Sequence, residues 1–223
     1  MKPQSILDRA RTPDGTEIVL VQRDGVYSIR VDGLELMSSR AHGSEEALAR
    51  IALSDLHNVR RPRVLVGGLG MGYTLRAVLD HRPPAHEVVV AEILAAVVRW
   101  NREALGELAG RPLEDPRVDL VEGDVADVIA RCRRSFDAVL LDVDNGPSAF
   151  TVDRNDGLYG PAGLAAIHQC LRPSGVLGVW SADPAPEFIR LLTEQSFDTR
   201  TEKVRARGTA KGPFHTIFVA RRH

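Results

Sequence analysis

Residues 64–72, Val-Leu-Val-Gly-Gly-Leu-Gly-Met-Gly, constrain the fold of this chain more than any other stretch. Three apolar β-formers run into closely spaced glycines, and residues 73–79 that follow suit a helix. That order predicts a buried strand, a tight turn and a helix N-terminus. Glycine has no Cβ, so such a turn can take unusual dihedrals and let a ligand approach the backbone and the helix N–H groups. The spacing Gly68-x-Gly70-x-Gly72 is not the G-x-G-x-x-G of dinucleotide sites. Tyr73 also stands where those sites want a small residue for helix–strand packing.

The stretches after the glycines end in acids. Residues 87–92 read as a second strand closing on Glu92, about 20 residues past the turn, where a carboxylate accepts hydrogen bonds from ribose hydroxyls in nucleotide-binding α/β folds. Residues 118–122 read as a third strand ending in Gly123-Asp124, and residues 136–141 as a fourth ending in Asp142. The carboxyl ends of strands are the edge where open α/β sheets bind ligands. This series resembles the class I S-adenosylmethionine-dependent transferases. The resemblance implies an α/β, Rossmann-like class I methyltransferase fold that binds S-adenosylmethionine or its decarboxylated form. Gly68, Leu69, Gly70 and Gly72 would seat the methionine part, Glu92 and Ile93 the ribose side, Asp124 and Val125 the adenine, and Asp142 the charged end.

Length and charge bound the alternatives. A chain of 223 residues, 43% hydrophobic, buries a core of one domain with at most a small appendage. Its formal net charge of −1 gives no global field toward nucleic acid or an anionic membrane, and neither is expected as a partner. No apolar run reaches the ~20 residues that span a bilayer, and the N-terminus lacks the apolar segment of a signal peptide. Cys132 and Cys170 lack metal-ligand spacing, so no metal site is expected, and a cytoplasmic location follows from reading them as ordinary thiols.

Upstream of the turn, residues 1–15 read as polar loop. Residues 17–22, 26–31 and 34–37 alternate like strands, and Asp24-Gly25 and Asp32-Gly33 supply the hairpin turns. The expectation is a three-stranded meander over residues 1–42, followed by a cofactor-binding domain over residues 43–223. Ser44 is placed to cap a helix with Glu45 and Glu46 in its first turn. Arg60, Arg61 and Arg63 read as a solvated link. Residues 143–158 are rich in Gly, Asp and Asn and are expected to form a lid at the sheet edge. Residues 161–171 and 186–195 read as helices around a strand at 176–180. Residues 197–204 and 214–220 are strands with no helix between them, so they must pair antiparallel. The sheet is therefore mostly parallel with an antiparallel last strand.

With the meander and strand ends placed, residues 16–220 resemble the spermidine synthase-like group, the polyamine aminopropyltransferases and their relatives. That resemblance implies a small-molecule acceptor bearing a cationic amine, and by family analogy a homodimer. Asp142, Asp144 and Tyr159 are the catalytic candidates it points to. The chain departs from the group at three places. Gly70 replaces an acid that faces the donor's amine, Asp142-Val143-Asp144-Asn145-Gly146-Pro147 replaces Asp-Ser-Ser-Asp-Pro, and Ser44-Glu45-Glu46 meets Tyr-His-Glu. Because Gly70 removes one repulsive element against an α-carboxylate, the reading taken is methyl transfer from S-adenosylmethionine to a small amine-bearing acceptor. Aminopropyl transfer from the decarboxylated donor, and cofactor binding without catalysis, stand as alternatives.

Overall fold

The computed structural model describes residues 4–12, 14–143, 146–147, 155–208 and 212–223. Asp144, Asp153, Arg154 and Lys211 lie outside the described residues, as do the side chain of Asp156 and most of the stretch expected to form the lid.

Two sheets are present among the described residues. Strands β1 (Ser5–Arg11), β2 (Glu17–Arg23), β3 (Val26–Val31) and β4 (Leu34–Ser38) form an antiparallel meander in chain order. Asp24 and Gly25, and again Asp32 and Gly33, take positive φ, the dihedrals a two-residue hairpin turn requires. The meander has one strand more than expected. β1 falls in the segment read as loop, and it pairs with β2 from Ser5 opposite Gln22 to Arg11 opposite Glu17. Its polar composition is that of an edge strand with a wet face. Asp8 fastens it, accepting from the indole of buried Trp100 at 2.6 Å and from Arg99.

Helix α1 (Gly43–Leu53) follows and packs on α2 (Tyr73–Asp80) and on the second sheet. Ser44 does not cap it: the N-cap position is His42, with no side-chain capping bond. Ser44 is fully buried and turned inward. The second sheet holds β5 (Arg63–Gly67), β6 (Glu87–Glu92), β7 (Val118–Glu122), β8 (Phe136–Leu141), β9 (Leu171–Ser181), β10 (Phe197–Arg205) and β11 (Phe214–Arg222). Their order is β10-β11-β9-β8-β5-β6-β7, with β5 to β9 mutually parallel and β11 antiparallel to both neighbours. This is the Rossmann-like α/β architecture with an antiparallel end that the strand pattern predicts.

Three boundaries differ from the sequence reading. β9 begins at Leu171 opposite Phe136, and residues 172–175 bulge before Val176 meets Ala138, so the Pro-Ser-Gly segment interrupts pairing without ending it. Residues 155–159 form a short helix, α5 (Asn155–Tyr159), leading into α6 (Pro161–Cys170). Arg63 is no solvated link: it pairs with Glu87 at 2.8 Å and lies over the Phe136 ring.

Helices α1, α2 and α3 (Ala95–Arg102) cover one face of the sheet, and α4 (Val125–Arg131), α6 and α7 (Pro186–Glu194) the other. Ile18, Leu20 and Ile29 of the meander belong to the first of these cores, so the small sheet leans on the α1–α3 side. No helix among the described residues is long and apolar enough to cross a membrane. Cys132 and Cys170 are free thiols, and burial, then the neighbouring Cys132, pushes the Cys170 thiol up to about 12.

Candidate active site

The chain runs from β5 outward to β6 and β7 and then returns to β8 on the other side of β5. The crevice at the carboxyl ends of β5 and β8 is thus the topological switch point, where such sheets bind ligands. The strand ends are knitted together there. The Gly68 N–H donates to Ala91 O at 2.9 Å, Asp142 N–H to Gly67 O at 2.8 Å, and Gly123 N–H to Glu92 O at 2.9 Å.

The turn needs glycine for two reasons. At Gly68, φ is +88° and a Cβ would stand 2.3 Å from the Asp142 carbonyl oxygen, so only glycine lets β5 and β8 close on each other. At Gly70, φ is +51° and a Cβ would meet the Met37 methyl at 2.6 Å. The meander thus reaches over the turn. A side chain at Gly70 is expected from sequence to fill ligand space; it first displaces Met37.

Glu92 supports the turn from β6. It is buried, and its two carboxylate oxygens accept from Leu69 N–H and Leu94 N–H, each at 2.9 Å. Burial pushes its pKa above the ordinary glutamate range, and the backbone N–H groups pull the other way. Ile93 beside it is 48% exposed, an apolar surface at the sheet edge. Asp124 caps α4 through Ala126 N–H at 2.8 Å, and Val125 is buried.

Asp142 lies where β8 ends, in a cavity that also takes in Met37, Ser38, Leu69, Thr74 and Glu45. Thr74 Oγ1 donates to Asp142 Oδ2 at 2.5 Å. Burial pushes Asp142 up to about 6 despite that bond. Burial, and after it the Asp142 charge, push Glu45 up to about 8. Tyr73 of the same wall is pushed up to about 12 by burial and by Glu45 and Glu46, and stacks on His42 at 4.2 Å.

The expected site residues therefore separate. Gly68, Leu69, Gly70, Gly72, Glu92, Ile93, Asp124, Val125 and Asp142 stand along the carboxyl edge of β5 to β8. Tyr159 does not line the cavity. It is fully buried at the end of α5, edge-on to Phe188 of the opposite core, with its hydroxyl 3.5 Å from Val143 O. Two residues escaped the sequence reading. Asn101 of α3 donates to Gly70 O at 2.8 Å and to Val97 O at 2.9 Å. Glu45 reads from sequence as a dipole partner in a first helical turn and as part of Ser44-Glu45-Glu46, which departs from Tyr-His-Glu, with no inward role of its own. The one signal for it was the adjacent acid pair Glu45-Glu46, which does not say which acid faces in.

Comparison with known proteins follows this geometry. A family model described as the spermine/spermidine synthase domain matches residues 41–188. A polyamine aminopropyltransferase of Thermoanaerobacter is 32% identical over 54% of this chain and 41% of its own length. Polyamine aminopropyltransferase 1 of Hyperthermus butylicus is 31% identical over 78% of this chain and 59% of its own. The chain thus matches less than two thirds of the length of these curated relatives. A crystal structure of spermidine synthase in complex with the transition state analogue AdoDATO superposes with a TM-score of 0.80 at 21% identity, over 98% of this chain and 74% of that one. The likeness in fold extends to the spermidine synthase of Thermotoga maritima, with a TM-score of 0.77 at 20% identity, over 98% of this chain and 73% of that one.

These findings overturn the expectation of methyl transfer, because the family model and the sequence relatives are those of aminopropyl transfer. The expectation rested on three departures, Gly70 foremost, whereas the fold packs Met37 against Gly70 and brings a different acid, Glu45, to the same cavity. With two thirds of its residues under the matching model, the chain belongs to the spermine/spermidine synthase domain family.

Proposed function

We propose that this chain transfers the aminopropyl group of decarboxylated S-adenosylmethionine to a cationic amine of the polyamine class, in the cytoplasm. The observation that carries this reading is the match of residues 41–188 to the family model, beside a cavity whose charged groups are the two carboxylates Glu45 and Asp142. The residues present fit the donor. The glycine turn would leave room for its chain, the Glu92 carboxylate stands at the end of β6 where a ribose acceptor belongs, and exposed Ile93 would offer apolar cover for a base.

The bound donor supplies an electrophilic methylene carbon beside a positively charged sulfur. The acceptor amine starts as an ammonium and must lose one proton before its nitrogen has a lone pair. Asp142, raised to about 6, is a stronger base than an ordinary aspartate and stands as the carboxylate that takes or relays that proton. When the nitrogen bonds to the methylene carbon, the C–S bond breaks and its electron pair stays on sulfur, releasing a neutral thioether. Thr74 fixes the Asp142 carboxylate, and Met37 and Ser38 close the meander side of the cavity. Asp144 and Tyr159 remain the further catalytic candidates of this reading. Homodimerisation also belongs to it, with exposed Ile6, Leu7, Leu34 and Leu36 of the meander as the apolar surface.

The test is incubation with decarboxylated S-adenosylmethionine and a series of diamines such as putrescine, following release of methylthioadenosine. Release with at least one amine, and none when S-adenosylmethionine replaces the donor, is expected. No methylthioadenosine with any amine overturns the reading.

A further inference from the structure

Glu45 is held in the cavity by contacts that no local pattern foretells. The Ser44 hydroxyl donates to Glu45 Oε2 at 2.6 Å and lies 2.9 Å from His215 Nδ1, which anchors it to β11. His215 is in turn set edge-on to Trp180 of β9, ring centres 4.6 Å apart. The serine hydroxyl thus links Glu45 on α1 to the imidazole of His215 on β11. On the other side, Thr74 Oγ1 touches both Asp142 and the Glu45 backbone carbonyl, the latter at 3.3 Å. Glu45 and Asp142 thus stand on α1 and at the end of β8 with their positions fixed from three elements.

Among the described residues this arrangement lacks a cation. The residues lining the cavity include no lysine or arginine. Among the described residues, no ion pair to either carboxylate is present. The titratable groups that face Glu45 are Asp142, Glu46 and Tyr73, which are acidic, and His215, reached through Ser44. Burial holds His215 below the ordinary histidine range, with Asp183 acting against it. Glu46 pairs outward with His42 at 2.9 Å. Two carboxylates so close either share a proton or hold a cation between them. Meanwhile Met37 covers Gly70, so the glycine turn itself presents no acid.

We propose that Glu45 is a specificity-determining residue of this site: with Asp142 it forms a two-carboxylate wall that accepts a ligand ending in an ammonium and rejects one that carries a carboxylate beside it. Ser44 and His215 are its positioning residues. The inference rests on the aminopropyl-transfer reading and deepens it, because it names the group that tells the decarboxylated donor from S-adenosylmethionine. An ammonium supplies the absent counter-charge, whereas a ligand carboxylate would be a third buried acid.

The experiment is calorimetry on the full chain with three ligands: the decarboxylated donor, S-adenosylmethionine, and methylthioadenosine, which has neither ammonium nor carboxylate. The wild-type chain is expected to prefer the decarboxylated donor by at least ~tenfold, a preference that Glu45→Gln reduces by ~tenfold, the scale of one charge-assisted contact. Methylthioadenosine affinity should stay within ~twofold, since it leaves the wall untouched. Titration at pH 7 in buffers of different ionisation enthalpy should show proton release when the ammonium binds the wild-type pair, and less in Glu45→Gln. Glu45→Asp, which keeps the charge, should retain part of the preference. An unchanged preference in Glu45→Gln with methylthioadenosine still bound overturns the role of Glu45. If methylthioadenosine fails to bind the wild-type chain, the reading of the site falls, and this inference with it.

Discussion

The side-chain amide of Asn101 donates to the carbonyl of Gly70 at 2.8 Å, so the ligand-facing turn after β5 is held from α3. The second bond of that amide, to Val97 O at 2.9 Å, fixes the side chain on its own helix, and Asn101 is 3% exposed. The turn is therefore set by Glu92 on one side and Asn101 on the other, before any ligand arrives.

Asn101→Ala removes the donor and takes from the half-buried Gly70 carbonyl its partner on α3. The expected cost is ~1 kcal/mol, near the low end of the penalty for an orphaned polar group. For a domain of this size that is a fall in melting temperature of roughly 2–4 °C per kcal/mol. Methylthioadenosine binding should weaken as well, because the turn loses its preset shape. A variant with unchanged melting and unchanged affinity would show that the turn holds itself.

Glu92→Ala should act twice. It strips the acceptor from Leu69 N–H and Leu94 N–H, and it removes the acceptor proposed for the ribose. A loss of ~1.5–3 kcal/mol in ligand affinity is expected, about ten- to hundredfold, together with lower thermal stability. Glu92→Gln keeps one acceptor oxygen and should fall between. Full affinity in a folded Glu92→Ala chain would remove the ribose assignment.

Asp8→Ala tests the docking of the meander. Its hydrogen bonds from Trp100, then from Arg99, hold Asp8 below the usual aspartate range. A depressed acid contributes stability that is present above its unfolded value, near 3.8, and is lost as pH falls through the lower folded one. Asp8 is largely exposed, so the main effect of the substitution is the unpaired indole N–H of buried Trp100, ~1–2 kcal/mol. Tryptophan fluorescence should shift, and β1 amides should exchange faster with solvent. An unchanged spectrum and unchanged exchange would mean that pairing to β2 alone holds β1.

Much of the fold was legible because it is written in short-range pattern. The strands at 64–67, 87–92, 118–122 and 136–141 are apolar runs ended by Gly or acid. The hairpins are announced by Asp-Gly, and the antiparallel end follows from a connection too short for a crossover. What escaped is long-range. Ser44 reads as a cap from its neighbours, yet its hydroxyl meets His215, 171 positions away. β1 reads as loop because five of its seven residues are exposed, and only its register with β2 and the Asp8–Trp100 bond reveal a strand. The wrong choice of transferred group came from three local departures, and above all from reading Gly70 as though the acid it lacks had no other source. Glu45 arrives from α1, on the far side of β5, and nothing in the spacing of Glu45 to Gly70 encodes that meeting.

The carboxylate pair should also be visible in stability without any ligand. Glu45 is raised from 4.5 to about 8 and Asp142 from 3.8 to about 6, in each case first by burial. A raised acid is stabilising while protonated: its contribution is complete below the unfolded value and is lost as pH climbs through the folded one. The pair therefore takes stability from the ligand-free chain between pH 5 and pH 8. Asp8 and Asp115 are shifted the other way, Asp115 to about 2 by its bonds from Arg117, so their effect lies below about pH 4. Burial lowers His81, His168 and His215 and raises Glu92, which act within the window but are common to both chains, so the difference between the chains isolates Glu45. Glu45→Gln replaces the group by one that cannot ionise. It should raise the melting temperature at pH 8, by roughly 2–4 °C for each kcal/mol relieved, and change it little at pH 5. An ammonium-bearing ligand should give the wild-type chain a similar gain at pH 8, since it neutralises the same pair. Thermal melts of both chains at pH 5, 6, 7 and 8, with and without the decarboxylated donor, provide the measurement. Parallel curves for the two chains across that range would mean that Glu45 does not titrate against Asp142 in the folded protein.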